Sequence, residues 1–236
     1  MTDPILITGG ATRLGFALAM HYLNNDQPVV LTYRTERPEV GQLTAAGAVC
    51  IRADFSTDDG VYQASELLKE RCQRLQSIVH NASSWFADPG GHHDLENLAL
   101  MMRIHVGAPM VFSDALHQAL LQAHNPSIVN VSDHVANRGS DKHMAYAASK
   151  SALLNLTKSQ AKKYAPDIRV NALCPALLEF RDDDDALYRE RAIAKSALKR
   201  VPGFEVAIEA ICYLQSNHYT TGTVLPLDGG RPLGMP

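Results

Sequence analysis

The stretch ILITGGATRLG, residues 5–15, opens with a short apolar run and continues into a glycine-rich turn. The residues beyond the turn have helical spacing of apolar side chains, for example Leu14 and Leu18. A glycine-rich turn between a strand and a helix lets backbone N–H groups approach a pyrophosphate, because a Cβ atom there would block the approach. A tight turn with no chemical role would have the same composition, so this stretch alone does not decide between the two.

Further apolar and β-branched runs follow along the chain and alternate with stretches of helical spacing. Together with residues 5–8, the predicted strands are residues 29–33, 48–52, 77–80, 128–132, 169–173 and 224–227. Several runs are apolar without alternation, as is typical of strands that are buried on both faces. This alternation predicts an α/β protein with a Rossmann-type, doubly wound parallel sheet of about seven strands and helices on both faces.

Length, charge and cysteine usage exclude several classes of protein. The 236 residues include 22 Lys and Arg against 25 Asp and Glu, and the net charge of -3 leaves no basic footprint for nucleic acid or an anionic membrane. The sequence contains neither a basic leader nor an apolar run of about 18 residues. Its four cysteines lie far apart, which indicates neither a disulfide framework nor a metal site. We therefore expect a cytoplasmic protein with a small-molecule partner.

The end of the second predicted strand bears on the choice of dinucleotide. An acidic residue about 20 residues beyond the turn would bind the ribose 2′-hydroxyl of NAD. Here Arg34 and Thr35 follow Gly15 by 19 and 20 residues, with Arg37 close behind. A cation at this point favours a 2′-phosphate, so the predicted cofactor is NADPH.

Tyr146 and Lys150 lie four residues apart in a predicted helix, so both project from one face. A phenol titrates near pH ~10 in isolation, and a cation beside it favours phenolate nearer neutrality. Lys150 is placed to be that cation. A solvated pair would show the same spacing, but the glycine-rich turn and the terminal residues 228–230, Asp-Gly-Gly, favour a catalytic pair.

With these motifs the chain resembles the short-chain dehydrogenase/reductase family over essentially its whole length. The resemblance implies one NADP-binding domain over residues 1–236 and a homodimer or homotetramer formed through long helices at residues 95–121 and 145–164. It places the following residues along the cofactor: Gly9, Arg13, Leu14, Gly15, Arg34, Thr35, Asp54, Phe55, Asn81, Ala82, Ser83, Tyr146, Lys150 and Pro175.

Three positions depart from the general pattern of the family. The third glycine of the turn is Arg13, the carbonyl-orienting serine thirteen residues before the tyrosine is Asp133, and the tetrad asparagine is His105. The pteridine reductases share the first two departures and carry an Asn-Ala-Ser-Ser-aromatic stretch, which here is residues 81–85. Similarity to that subgroup implies reduction of the C6=N5 bond of a 7,8-dihydropterin, such as 7,8-dihydromonapterin, with weaker reduction of dihydrofolate.

The same resemblance assigns the substrate site to Arg13, Ser83, Trp85, Asp133 and Tyr146. A pterin is a flat polar bicycle, so its site needs aromatic surface on one face and hydrogen-bonding groups at its edge. We expect Trp85 to form the wall opposite the nicotinamide. We hypothesise that the catalytic residues are Tyr146, Lys150 and Asp133, with Asp133 and Tyr146 relaying a proton toward the pterin, directly or through water.

Two features of the sequence each allow two interpretations. His105 either holds a water, as the asparagine would, or is a core histidine with its hydrogen bonds satisfied. The acidic run at residues 182–185 is either a solvated turn and helix start, or a negative loop that disfavours the anionic tail of a folate.

Two other functions also remain open, because the fold alone does not separate them. An NADPH-dependent carbonyl reductase of the same family would turn over ketones and would be little affected by removal of Trp85. A non-catalytic NADP-binding sensor would need neither Tyr146 nor Lys150, so their presence in the chain speaks against it.

Overall fold

The computed structural model describes residues 2–91 and 93–233, so Met1, His92 and residues 234–236 of the expected domain lie outside it. Within these ranges, no helix combines the length and apolarity needed to cross a membrane. The strands are β1 (Ile5–Thr8), β2 (Val29–Tyr33), β3 (Val49–Arg52), β4 (Ser77–His80), β5 (Ser127–Val131), β6 (Arg169–Pro175) and β7 (Val224–Leu227). The α-helices are α1 (Arg13–Asn24), α2 (Pro38–Ala45), α3 (Asp58–Arg71), α4 (His93–Met102), α5 (Ala108–Ala115), α6 (His117–Leu120), α7 (Met144–Tyr164), α8 (Ala186–Ala194) and α9 (Glu205–Ser216).

All seven strands form one parallel sheet in the order β3-β2-β1-β4-β5-β6-β7. The predicted fold class is confirmed, and the predicted strands agree with the observed ones to within two residues. The chain moves outward from β1 to β3 and then returns to place β4 beside β1. At such a switch point the loops after neighbouring strands leave in opposite directions and open a crevice for a ligand.

The two faces of the sheet carry separate parts of the core. Successive side chains of β1 point to opposite faces of the sheet. Leu6 packs with Ile78 and Ile128 on one face, and Ile7 packs with Leu31 on the other. The first face is covered by helices α3, α5 and α7, and the second by α1 and α9. Cover on both faces explains why these strands are apolar without alternation.

The expected single helix over residues 95–121 is wrong. Helix α4 ends at Met102, and a π-helical turn, Arg103–Gly107, separates it from α5. The turn is closed by a bond from the amide of Ala108 to the carbonyl of Arg103, five residues earlier. Pro109 follows immediately and has no N–H to offer the preceding turn, which accounts for a break in the regular bonding at this point. The helix expected over residues 145–164 is present as α7.

Candidate active site

A cavity of about 680 Å³ lies at the carboxyl ends of the strands, and the structure brings the predicted site residues together around it. Every residue proposed from the sequence for the cofactor or the substrate lines this cavity except Gly15. Gly15 instead packs under the turn, because a Cβ atom on it would lie 2.3 Å from the carbonyl oxygen of Gly9. Its contribution is close packing of α1 against the turn.

The glycine-rich turn after β1 is braced by the loop after β4. Gly9 has a φ of +64°, and a Cβ atom there would lie 2.8 Å from Cα of Ala82. The side-chain amide of Asn81 donates a hydrogen bond to the carbonyl of Gly9 over 3.0 Å. Only glycine fits this conformation and this approach, so the turn keeps its backbone open to the cavity as a pyrophosphate requires.

Two threonines that the sequence analysis did not single out hold these loops together. The hydroxyl of Thr8 accepts hydrogen bonds from the amides of Asn81 and Ala82 over 3.0 and 3.1 Å. The hydroxyl of Thr32 accepts one from the amide of Gly9 over 3.2 Å. A threonine near the carboxyl end of an otherwise largely apolar strand was the available signal for both.

Arg13 occupies a left-handed backbone conformation with a φ of +49°. That region favours glycine, so an arginine here carries backbone strain. The Nη2 atom of Arg13 donates to the carbonyl oxygen of Glu179 over 2.9 Å, and its guanidinium carbon lies 5.6 Å from the centroid of the Phe204 ring. The side chain therefore links the turn to the loop after β6.

At the far end of the cavity, Arg34 and Arg37 line the wall after β2 as exposed cations. Phe55 is buried in the loop after β3, while the Oδ1 atom of Asp54 accepts a hydrogen bond from the amide of Ser56 over 2.9 Å. A dinucleotide with a 2′-phosphate carries negative charge at its pyrophosphate and at that phosphate. The open glycine turn fits the first of these, and the two arginines fit the second.

Tyr146, Asp133 and Lys150 meet at the middle of the cavity. The hydroxyl of Tyr146 donates to Oδ2 of Asp133 over 3.0 Å. Lys150 is buried, its Nζ atom donates to the carbonyl of Val131 over 2.9 Å, and Nζ lies 5.7 Å from the centroid of the Tyr146 ring. The arrangement places a proton donor and a carboxylate in direct contact.

The electrostatics of this group differ from the expectation that Lys150 favours a tyrosine phenolate. Burial, followed by the charge of Asp133, raises the pKa of Tyr146 above its ordinary value. Burial lowers the pKa of Lys150 to about 8. The lysine lies over the ring rather than at the hydroxyl, so it does not outweigh the carboxylate, and the phenol keeps its proton.

Asp133 is held as a carboxylate. Burial alone would raise its pKa, but the close contact and charge of the His134 ring, the hydrogen bond from the amide of Val135 and the charge of Lys150 together outweigh burial and lower the pKa. The Val135 amide lies 2.9 Å from Oδ1 of Asp133, because Asp133 caps the short 3-10 turn His134–Asn137. The carboxylate therefore accepts bonds on both oxygens.

His105 lies in the π-helical turn, is buried and does not line the cavity. Its Nε2 atom accepts the amide N–H of Ser84 over 3.3 Å and lies 2.9 Å from Oγ of Ser83, while Nδ1 lies 2.7 Å from Oγ of Ser149. Burial, with a smaller effect of Lys150, lowers the pKa of His105. The structure thus favours a neutral core histidine that orients Ser83.

Trp85 stands at the mouth of the cavity and is 49% exposed. Its ring stacks on His143, with centroids 4.3 Å apart and planes inclined by 26°. The guanidinium of Arg181, from the loop after β6, lies 5.4 Å from the centroid of a Trp85 ring. Contacts from two other segments hold the indole in place.

The acidic run at residues 182–185 forms a turn and a helix start. Oδ2 of Asp184 accepts from the amide of Arg181 over 2.8 Å, and Oδ1 of Asp185 accepts from the amide of Tyr188 over 2.7 Å as the N-cap of α8. These bonds favour the first interpretation of the run. An effect of its charge on folate tails stays a prediction.

Comparison with known proteins adds sequence and structural relatives. A family model described as enoyl-(acyl carrier protein) reductase matches residues 9–231. A dihydromonapterin reductase of Enterobacter sp. (strain 638) is 49% identical over 233 residues, which are 98% of this chain and 97% of the relative. A dihydromonapterin reductase of Escherichia coli O6:K15:H31 (strain 536 / UPEC) is 47% identical over the same shares.

A solved structure is also similar over nearly the whole chain. It is that of FolM alternative dihydrofolate reductase 1 from Brucella canis, complexed with NADP. The two chains are 27% identical and superpose with a TM-score of 0.87, over 99% of this chain and 95% of the other.

Proposed function

Because the chain belongs to the short-chain dehydrogenase/reductase family, we propose that it is an NADPH-dependent reductase of 7,8-dihydropterins. Its substrate is 7,8-dihydromonapterin, which it converts to tetrahydromonapterin, and it reduces dihydrofolate more weakly. The observation that carries the proposal is the carboxylate of Asp133 at 3.0 Å from the Tyr146 hydroxyl, in a cavity that Trp85 also lines. The dihydromonapterin reductases that are 47% and 49% identical to this chain support it.

The carboxylate argues for a pterin and against a ketone. A carbonyl that accepts hydride develops negative charge on its oxygen, so its site needs hydrogen-bond donors there. An ionised Asp133 is only an acceptor and would repel that charge. A dihydropterin instead presents N–H groups along its edge, and a carboxylate can accept hydrogen bonds from them.

The cofactor proposed is NADPH. Its pyrophosphate would lie at the glycine turn around Gly9, its 2′-phosphate at Arg34, Thr35 and Arg37, and its nicotinamide ribose at Lys150. The Brucella canis relative whose structure was solved with NADP supports this choice. When bound, NADPH supplies the hydride.

The chain's own residues would orient the pterin and deliver the proton. Trp85 covers one face of the ring, and Ser83, whose hydroxyl His105 orients, binds its edge. Tyr146 holds the proton at this point, because its raised pKa keeps the hydroxyl protonated, and solvent water replaces the proton that it passes on. As C6 gains hydride, N5 takes up a proton, and Asp133 and Tyr146 relay it, directly or through water.

The test of this function is oxidation of NADPH by the purified protein with 7,8-dihydromonapterin, 7,8-dihydrobiopterin, 7,8-dihydrofolate and a panel of ketones. We expect turnover of the dihydropterins, with NADPH preferred over NADH. Turnover of ketones alone would establish the carbonyl reductase instead. Tight NADPH binding without turnover of any substrate would establish the sensor.

A further inference from the structure

The second carboxylate oxygen of Asp133 leads to two residues that the proposed reaction does not use. Oδ1 of Asp133 lies 2.9 Å from Nδ1 of His134. Nε2 of the same imidazole lies 2.9 Å from Nη1 of Arg231. Arg231 comes from the opposite end of the chain, in the short 3-10 turn Arg231–Leu233 that follows β7. A continuous chain of polar contacts therefore runs from Arg231 through His134 to Asp133.

The direction of these bonds follows from the chemistry of the groups. A guanidinium has five N–H donors and no acceptor, so Nε2 of His134 must be the acceptor in its contact with Arg231. In the neutral imidazole the single proton then lies on Nδ1, the nitrogen that is 2.9 Å from Oδ1 of Asp133. Arg231 thus selects the tautomer of His134 that places an N–H beside the carboxylate, in a close polar contact rather than a hydrogen bond.

We propose that His134 and Arg231 are positioning residues for this reaction: Arg231 holds His134 in the tautomer that carries its proton on Nδ1, beside Oδ1 of Asp133, while Oδ2 accepts the Tyr146 hydroxyl. This inference rests on the proposed function, since it concerns how the carboxylate of that site is held. Both residues line the cavity and act through Asp133.

Several other groups face the same carboxylate and must be weighed with the pair. Lys150 and Tyr146 reach it from α7, and Cys174 lies near it on β6. Arg231 is near Asp133, Asp228, Tyr188 and Arg138. Among these, His134 is the side chain whose ring nitrogen lies within 2.9 Å of Oδ1, so its loss acts on the carboxylate most directly.

The consequence is a defined change in pH dependence. His134 contributes to the lowered pKa of Asp133, so removal of its donor raises that pKa. The carboxylate then takes up a proton at a higher pH, and a protonated Asp133 can no longer take up a proton from Tyr146 in the relay. The acidic limb of the kcat profile should therefore move to higher pH.

The test compares His134→Leu, which has no donor, with His134→Asn, whose side-chain amide can take the place of Nδ1–H. We expect His134→Leu to lose about tenfold in kcat, which corresponds to the loss of one polar contact to a charged group, and to shift its acidic limb upward. His134→Asn should restore most of the rate and the wild-type limb. Arg231→Met should shift the limb in the same direction as His134→Leu. Kd for NADPH, measured by titration, should stay the same.

Arg138→Met is the matched control, because it removes an exposed cation near Arg231. It should leave the profile unchanged. Equal losses in His134→Leu and His134→Asn, or losses with no movement of the limb, would mean that the ring only fills space and would overturn the inference. If the wild-type protein reduced no dihydropterin, the proposed function would fail first, so the two failures are distinguishable.

Discussion

The hydroxyl of Tyr146 donates a hydrogen bond to Oδ2 of Asp133 over 3.0 Å. In the general family pattern a serine occupies the position of Asp133, and a serine hydroxyl can donate to a carbonyl oxygen. A carboxylate can only accept, so this contact keeps the tyrosine protonated and turns the site toward substrates with N–H groups.

Replacement of Asp133 tests the role of the carboxylate. We expect Asp133→Ser to lower kcat for 7,8-dihydromonapterin about a hundredfold, the range of general acid–base catalysis, because the proton relay is broken. Steady-state kinetics at saturating NADPH measure it, with Asp141→Ser on the exposed surface as the control. Full turnover of Asp133→Ser across the pH range would rule out the relay.

Trp85 gives a prediction that separates substrate binding from cofactor binding. We expect Trp85→Ala to raise KM for the dihydropterin about tenfold through lost stacking, whereas Trp85→Phe keeps most of the affinity. Because Trp85 is the only tryptophan of the chain, quenching of its fluorescence measures pterin binding directly. An unchanged KM in Trp85→Ala would place the pterin elsewhere.

Arg13 gives a prediction about stability. At a φ of +49° an alanine keeps the strain of the left-handed conformation, whereas a glycine relieves it. Both variants lose the bond to Glu179, so that loss cancels between them. Arg13→Gly should therefore unfold at higher urea than Arg13→Ala, by about 1 kcal/mol in the free energy of unfolding. Equal stabilities would show that the turn is not strained at this residue.

Lys150 makes stability depend on pH. Burial lowers its pKa from 10.5 to about 8, so between these values the folded protein has released a proton that the unfolded chain still binds. Where the unfolded state binds more protons, the free energy of unfolding rises with pH. The rise due to Lys150 should be at most about 3 kcal/mol, and Lys150→Met should lack it.

Urea unfolding of the wild-type protein and of Lys150→Met at about pH 7 and about pH 10 measures this difference, without added NADPH. Asp133 and His105, whose pKa values Lys150 also lowers, titrate below this pH range, so the change in the gap between the two proteins reports Lys150. A gap that is the same at both pH values would contradict the buried charge.

The fold and much of the site follow from local patterns in the sequence. The apolar runs predict strands buried on both faces, and the spacing of Tyr146 and Lys150 places both on one helical face. The departures at Arg13 and Asp133 point to the chemistry, because each changes the charge of a position that lines the cavity.

The remaining contacts depend on how distant parts of the chain meet. Arg231 reaches His134 across 97 residues of sequence, and Arg13 reaches Glu179 across 166. No local pattern marks such pairs, since they form only when the loops at the carboxyl ends of the strands converge. The break of the predicted long helix at the π-helical turn depends on hydrogen bonding around Pro109, which the apolar periodicity does not report.

The most direct measurement of the central claim follows the hydride itself. The purified protein is incubated with 7,8-dihydromonapterin and NADPH that carries deuterium at both C4 positions, and the product is examined by mass spectrometry and NMR. We predict tetrahydromonapterin with one deuterium, located at C6. A parallel incubation contains a ketone as well. Deuterium found in the alcohol formed from the ketone, with none in the pterin, would contradict the account.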